Sequence, residues 1–332
     1  MADRPALSAV SPQRRVLGLT DIAPRHRKPS PASRFGLCEQ QLRRTYRRCM
    51  HTFVACVRAG AYLCAAIQIM NKRNLGAAYR ANTLLLLAAV GYASTRQVAR
   101  GVWGRCDEST RRMSSRTLRW LLERRLIVRR REGDKIAMAN QEFLFALTPA
   151  GADKVRELGS SLVAAKAHAR DYLRHAHSHR TACNSVYVAW HTPSIWSELE
   201  VRADKAPVNE FRYWSDSEEF GKIPDLIAEN AVGYEWIEVE NSWRSEKDLA
   251  KVVNCMRAMF SEEKNNITCM HFIITVPGAK TIGQRLRKTL SHGPDSGWPR
   301  QVRELDARIV AQHLKFSVLN HETLELSPLR DD

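Results

Sequence analysis

The stretch "KIPDLIAENAVGYEWIEVENSWRSEKDL", residues 222–249, sets the reading of the rear half of the chain. "KIPDLIAE" and "YEWIEVE" each read as a strand, and the four residues "NAVG" between them form a turn. Pairing Glu229 with Tyr234 across that turn fixes the register of the hairpin. It then places Asp225 directly opposite Glu238. Glu240 shares the face of Glu238, because side chains alternate along a strand, and Ile237 and Val239 point the other way into a core. Three carboxylates on one face repel one another unless a cation or basic groups lie among them. Asp225, Glu238 and Glu240 are therefore the candidate site acids.

Beyond the hairpin, "RSEKDLAKVVNCMRAMF" reads as a helix with Leu249, Val252, Val253, Met256 and Phe260 on its buried stripe. Lys247 lies opposite that stripe. Its helical angle points it to solvent. "MHFIITV" is a near-continuous apolar strand, as expected in a sheet covered on both faces, and "TIGQRLRKTL" is a further basic helix. On the other side of the hairpin, "WSELEVRA" (196–203) alternates like a strand, and a polar excursion follows to residue 221. Residues 160–192 read as one amphipathic helix stopped by Pro193. Within it, His175 and His179 share a face that a metal could use. No third ligand is evident, so His179 and Arg180 are expected to pack near the sheet.

Charge separates the two halves. The chain of 332 residues carries a net charge of +17. Residues 1–150 hold 28 Lys+Arg against 9 Asp+Glu, and the remainder 24 against 26. The whole excess lies in front, where a polyanion, nucleic acid first, is the direct physical reading. A membrane surface is the rival. The longest apolar run, "TLLLLAAV", is too short to span a bilayer, and no signal peptide is visible. None of the eight cysteines forms a C-x-x-C pair, which suits reduced thiols in a cytosolic protein.

Residues 1–35 read as a disordered basic arm, and 37–80 as helical without a motif. "NTLLLLAAVGYAS" reads as a buried helix ending at Gly91, and Ser94 is a plausible N-cap for a second helix. A third, from about Ser109 to Arg125, carries Leu118, Leu121 and Leu122 on one side and Arg112, Arg116 and Arg119 in a stripe away from them. Two short strands follow, "LIVRRR" and "FLFALT", around a polar loop with Gly133 and Asp134. This order makes a winged helix-turn-helix, and "LTPAG" resembles the entry to the closing helix of many bacterial winged-helix proteins. Arg111, Arg112, Ser115, Arg116 and Arg119 are the expected recognition-helix contacts, with Arg129, Arg130 and Arg131 on the wing.

Order and motif in the rear half resemble the restriction-endonuclease-like PD-(D/E)xK fold. Pro224-Asp225 stands as the "PD", and Glu238-Val239-Glu240 where "(D/E)-x-K" belongs. Across residues 80–275 the pattern is also similar to the replication-relaxation proteins of bacterial plasmids and conjugative elements. That resemblance implies a winged helix followed by a mixed sheet flanked by helices, an α+β or α/β architecture. It implies binding of double-stranded DNA in replication or mobilisation, alongside a relaxase or replication proteins. It departs from the enzymes at Glu240, where they carry the lysine that orients the attacking water.

The expected boundaries are an arm at 1–35, a helical and winged-helix domain at 36–158, a nuclease-like domain at 159–320 and a tail at 321–332. The expected function is a DNA-binding accessory protein whose nuclease-like domain is inactive or adapted for binding. Two alternatives stay open. One is a Mg²⁺-dependent endonuclease or nickase using Asp225, Glu238, Glu240 and Lys247. The other is a homodimeric transcription regulator of a mobile element, recognised by palindromic footprints.

Overall fold

A computed structural model describes residues 72–131, 142–160, 173, 178–190, 194–215, 218–242, 245–261, 266–275, 279–292, 309 and 311–329. The chain divides into two compact units, 1–48 and 49–332, and every described residue falls in the second. The expected basic arm, the helical reading of 37–71, the loop at 132–141, and His175 and His177 lie outside the described residues. The architecture is mixed α+β: helices pack on a small antiparallel sheet in front and on a larger mixed sheet behind.

The front half begins with helix α1 (Lys72–Val90), which ends where Gly91 takes a φ of 79°. Strand β1 (Ala93–Ser94) leads into α2 (Thr95–Trp103), and Ser94 and Gln97 form a capping box at its start. The serine hydroxyl accepts from the Gln97 amide while the glutamine carbonyl accepts from the Ser94 amide, so two donors of the first turn are satisfied. Helix α3 (Glu108–Glu123) starts at Asp107, whose carboxylate accepts from the Thr110 amide at 2.8 Å. Strands β2 (Ile127–Arg131) and β3 (Phe143–Leu147) complete a three-stranded sheet of order β1-β3-β2. Helix α4 (Pro149–Glu157) closes this half, with Thr148 as its N-cap and Pro149 in its first turn. Leu87, Val98, Leu118, Leu121, Ile127 and Val155 fill the core between these elements.

The rear half runs through α5 (Ser178–Ala189), β4 (Ile195–Trp196), α6 (Glu198–Arg202), β5 (Phe211–Ser215), β6 (Glu218–Lys222), β7 (Leu226–Glu229) and β8 (Tyr234–Glu240). It continues with α7 (Glu246–Ser261), β9 (Ile267–Ile274), α8 (Ala279–His292), β10 (Leu314–Asn320) and β11 (Glu325–Pro328). Six of these strands form one sheet of order β11-β10-β9-β8-β7-β4. The pairs β8/β9 and β9/β10 are parallel and the others antiparallel. One face, with Leu226, Ile237, Val239 and Ile273, packs against Cys183 and Val186 of α5. The other, with Ile227, Trp236 and Phe272, packs against Val252, Val253 and Met256 of α7. Each central strand is therefore covered on both sides, which is why β9 reads as an unbroken apolar run.

The hairpin register holds as expected: Glu229 pairs with Tyr234 and Leu226 with Ile237. Three other readings are corrected. "WSELEVRA" is not one strand: it bends after Trp196 into helix α6, because Ser197 and Glu200 form a capping box. The polar excursion contains the hairpin β5/β6, held by stacking of Tyr213 between Phe211 and Phe220 at centroid distances of 6.3 and 5.8 Å. The expected tail supplies β11, an edge strand paired with β10.

The halves meet at α5. Gln97 donates to the Thr181 carbonyl at 2.9 Å and to Ser185 Oγ at 2.8 Å, and Asn184 donates to the Tyr92 carbonyl at 2.8 Å. Helix α5 thus serves both cores. Among the described residues, no helix is long and apolar enough to cross a membrane.

Candidate functional site

Asp225 sits just before β7, at the open end of the hairpin. Its amide donates to the Ile237 carbonyl at 3.1 Å, so the backbone keeps the hairpin register to this point. Its side chain has two partners of its own. One carboxylate oxygen, Oδ2, accepts from the Val239 amide at 2.8 Å, and the other, Oδ1, lies 2.9 Å from His179 Nε2 on α5. The Nδ1 of His179 in turn faces Asn241 Oδ1 at 3.3 Å. The Asp225 hydrogen bond is the main reason that the His179 pKa is raised to about 9, against the opposing effect of burial.

Glu238 is 2% exposed, and its carboxylate is held by two donors on its own face of the sheet. Lys222 Nζ lies 2.9 Å from Oε2, and Trp236 Nε1 donates to Oε1 at 2.7 Å. Glu240, also 2% exposed, ends β8. Of the three acids that strand alternation places together, each has its own local setting. Glu238 and Glu240 keep to one strand, while Asp225, outside the strand proper, turns toward α5. The ligand-type atoms that come within 4.8 Å of one another among the described residues belong to His179, Cys183 and Asp225, without Glu238 or Glu240. Cys183 Sγ lies 3.6 Å from His179 Nε2. Burial pushes this thiol well above its usual pKa, and the nearby carboxylates of Asp225, Glu198 and Glu238 add to the rise.

Mg²⁺ asks for free carboxylate oxygens in near-octahedral geometry. Here the oxygens of Asp225 are taken by His179 and Val239, and those of Glu238 by Lys222 and Trp236. A magnesium ion bridging Asp225 and Glu238 would have to displace His179 and Lys222 from these oxygens. Lys247 lies in the first turn of α7, and its side chain falls outside the described residues. The lysine that does reach a site acid is Lys222, which sequence reasoning passed over. Arg180 is committed elsewhere: it forks onto Glu198 at 3.0 and 3.1 Å, and Arg202 adds a third contact at 2.8 Å. Burial raises the Glu198 pKa, but these arginines outweigh it and hold the carboxyl below its ordinary value.

The expected DNA face is laid out on α3. Thr110, Ser114, Leu118 and Leu121 are buried, while Arg111, Arg112, Ser115, Arg116 and Arg119 are exposed. Glu108 pairs with Arg112 one turn away, and Ser115 Oγ donates to the Arg111 carbonyl at 2.9 Å. On the strand pair, Arg129 stacks over Phe143 at 4.8 Å. Arg130 Nη1 donates to the Leu173 carbonyl at 2.9 Å. The Arg131 side chain lies outside the described residues. Sequence reasoning also missed Trp120, flanked by Arg80 at 4.2 Å and Arg124 at 3.6 Å to its ring, an arrangement that fixes two more cations beside α3.

Comparison of the chain with protein-family models, curated proteins and solved structures returned no match.

Proposed function

We propose that this chain is a double-stranded-DNA-binding accessory protein of plasmid or mobile-element replication or mobilisation. Its front half is read as a winged helix-turn-helix, with α3 as recognition helix and β2/β3 as wing. The observation that carries the reading is the division of α3. Its buried residues lock it to the core, and its solvent face offers Arg111, Arg112, Ser115, Arg116 and Arg119 beside the acidic Glu108 and Glu123 at its ends. Guanidinium groups in that pattern suit phosphates and guanine edges.

The rear half is read as a restriction-endonuclease-like domain that binds or assembles rather than cuts. The first part is supported by α5 followed by three antiparallel strands of one sheet, β4, β7 and β8, with α6 and the β5/β6 hairpin inserted between β4 and β7, and by α7 crossing over to the parallel strand β9. The second part is supported by Glu240 standing where the enzymes carry lysine and by the engaged oxygens of Asp225 and Glu238. One observation favours the rival reading of a metal-dependent nuclease: Lys222 brings an ammonium to Glu238.

Supercoiled plasmid incubated with the purified protein, with and without Mg²⁺ or Mn²⁺, separates the two. A mobility shift with no nicking is the expected result. Metal-dependent nicking lost in Asp225→Ala would replace it with the nuclease, and neither shift nor nicking would overturn the DNA-binding reading.

A further inference from the structure

The His179–Asp225 contact explains two of three groups that converge at the hairpin mouth. An ion pair needs an imidazolium and a carboxylate; it does not need a thiol. Yet Cys183 follows His179 by one helical turn on α5 and turns its sulfur to 3.6 Å from the same Nε2 that meets Asp225 at 2.9 Å. A nitrogen, a sulfur and an oxygen ligand thus lie within 4.8 Å of one another. We propose that His179 Nε2, Cys183 Sγ and Asp225 Oδ1 form a binding site for a divalent transition metal, zinc first.

The chemistry of the donors selects the ion. Thiolate and imidazole favour borderline-soft metals, and magnesium or calcium would gain little from either. A tetrahedral zinc with bonds of roughly 2.0–2.3 Å spaces its ligand atoms by about 3.3–3.6 Å. The sulfur–nitrogen spacing already meets that, and the nitrogen–oxygen pair has only to open by a few tenths of an ångström. Groups behind the ligands are in place as well. Asn241 Oδ1 faces His179 Nδ1 at 3.3 Å and holds the ring so that Nε2 points at the site. The Val239 amide holds the far oxygen of Asp225 at 2.8 Å. Such partners orient metal ligands and fix the histidine tautomer.

Binding replaces the protons on His179 Nε2 and Cys183 Sγ, which leave to solvent. The His179 side chain is 36% exposed and that of Asp225 19%, so the ion has a way in and a fourth position for water. The metal would staple α5 to the head of the hairpin. This inference is independent of DNA binding.

Cobalt(II) added to the full-length, reduced, chelator-treated protein tests it. The expected result is a thiolate-to-cobalt charge-transfer band with the visible bands of tetrahedral cobalt, both removed by zinc and untouched by excess Mg²⁺. Cys183→Ser should abolish the charge-transfer band, and His179→Gln should weaken binding at least tenfold. A band unchanged in Cys183→Ser would assign the metal to another thiol and overturn the proposal, as would displacement of cobalt by Mg²⁺ or no band at all. Should Cys183→Ser fail to fold, Asn241→Ala decides. Affinity lowered roughly 10–100-fold supports the site, and unchanged affinity overturns it.

Discussion

Lys222 and Glu238 meet at 2.9 Å between the last residue of β6 and the middle of β8, the lysine 20% and the glutamate 2% exposed. The pair anchors the small β5/β6 hairpin to the main sheet and neutralises a carboxylate that the sheet buries. Removing only the lysine leaves that charge in a dry site, which costs on the order of 3 kcal/mol. Urea unfolding should show Lys222→Ala destabilised by about that amount. The double variant Lys222→Ala/Glu238→Gln should recover part of the loss, since it removes the stranded charge. A Lys222→Ala protein as stable as the parent would mean that other groups carry the neutralisation.

Glu235 sets the acid limb of stability. Burial raises its pKa, but His271 at 3.2 Å and Lys315 at 2.6 Å outweigh that and hold it at about 2, below its ordinary 4.5. A depressed carboxylate contributes stability that is complete above the unfolded-state value and lost as pH falls through the folded one. The loss therefore falls between about pH 4.5 and 2. Lys315 is half exposed, so solvent screening reduces the contribution to roughly 2 kcal/mol. Denaturant titrations across this range should show a flatter pH dependence for Glu235→Gln than for the parent. Equal slopes would remove Glu235 from the acid limb.

Gly151 lies one turn into α4, where alanine is the better helix former by about 1 kcal/mol. Its environment reverses the sign. A Cβ there would sit 2.0 Å from the Leu126 carbonyl oxygen, a backbone atom that cannot swing aside. Gly151→Ala should lower stability by about 1–3 kcal/mol, as overpacking does, and the melting temperature should fall accordingly. A raised melting temperature would show that α4 can shift away from Leu126. The contact gives "LTPAG" a physical meaning: threonine caps, proline starts the helix, and glycine allows it to press on the preceding chain.

Features set by neighbours in sequence were legible from the chain alone. The β7/β8 register follows from one four-residue turn, and the start of α2 from Ser94 and Gln97. Alternation misled at 196–203, where apolar and polar residues alternate on a short helix as well as on a strand. The Ser197–Glu200 capping box was the signal that would have corrected it. The hairpin β5/β6 was hidden by its charged edge, although Phe211, Tyr213 and Phe220 carry its aromatic period. What sequence reasoning could not supply is the partner of His179. Helical spacing places His179 and Cys183 on one face, but the approach of Asp225, 46 residues away, depends on how α5 lies on the sheet. The turn of Asp225 toward α5 has the same origin, since strand alternation stops applying where the strand ends.

The arginines of α3 give the most direct test of the DNA-binding reading. Arg112, Arg116 and Arg119 lie on its exposed face, and none anchors the core. Replacing all three with alanine should weaken duplex binding while moving the melting temperature by no more than about 5 °C, since surface changes of this kind cost under ~0.5 kcal/mol each. If each neutralises one phosphate, the slope of log K against log salt should fall in magnitude by about 3. Two further variants sort the roles. Glu108→Gln releases Arg112 from its ion pair and should raise affinity at low salt. Arg130→Ala, which loses the bond to the Leu173 carbonyl, should lower stability more than it lowers affinity. Anisotropy titrations of a labelled duplex at several salt concentrations read both quantities. A triple variant with unchanged affinity and slope would remove α3 from the interface and leave the positive charge of residues 1–150 in need of another address.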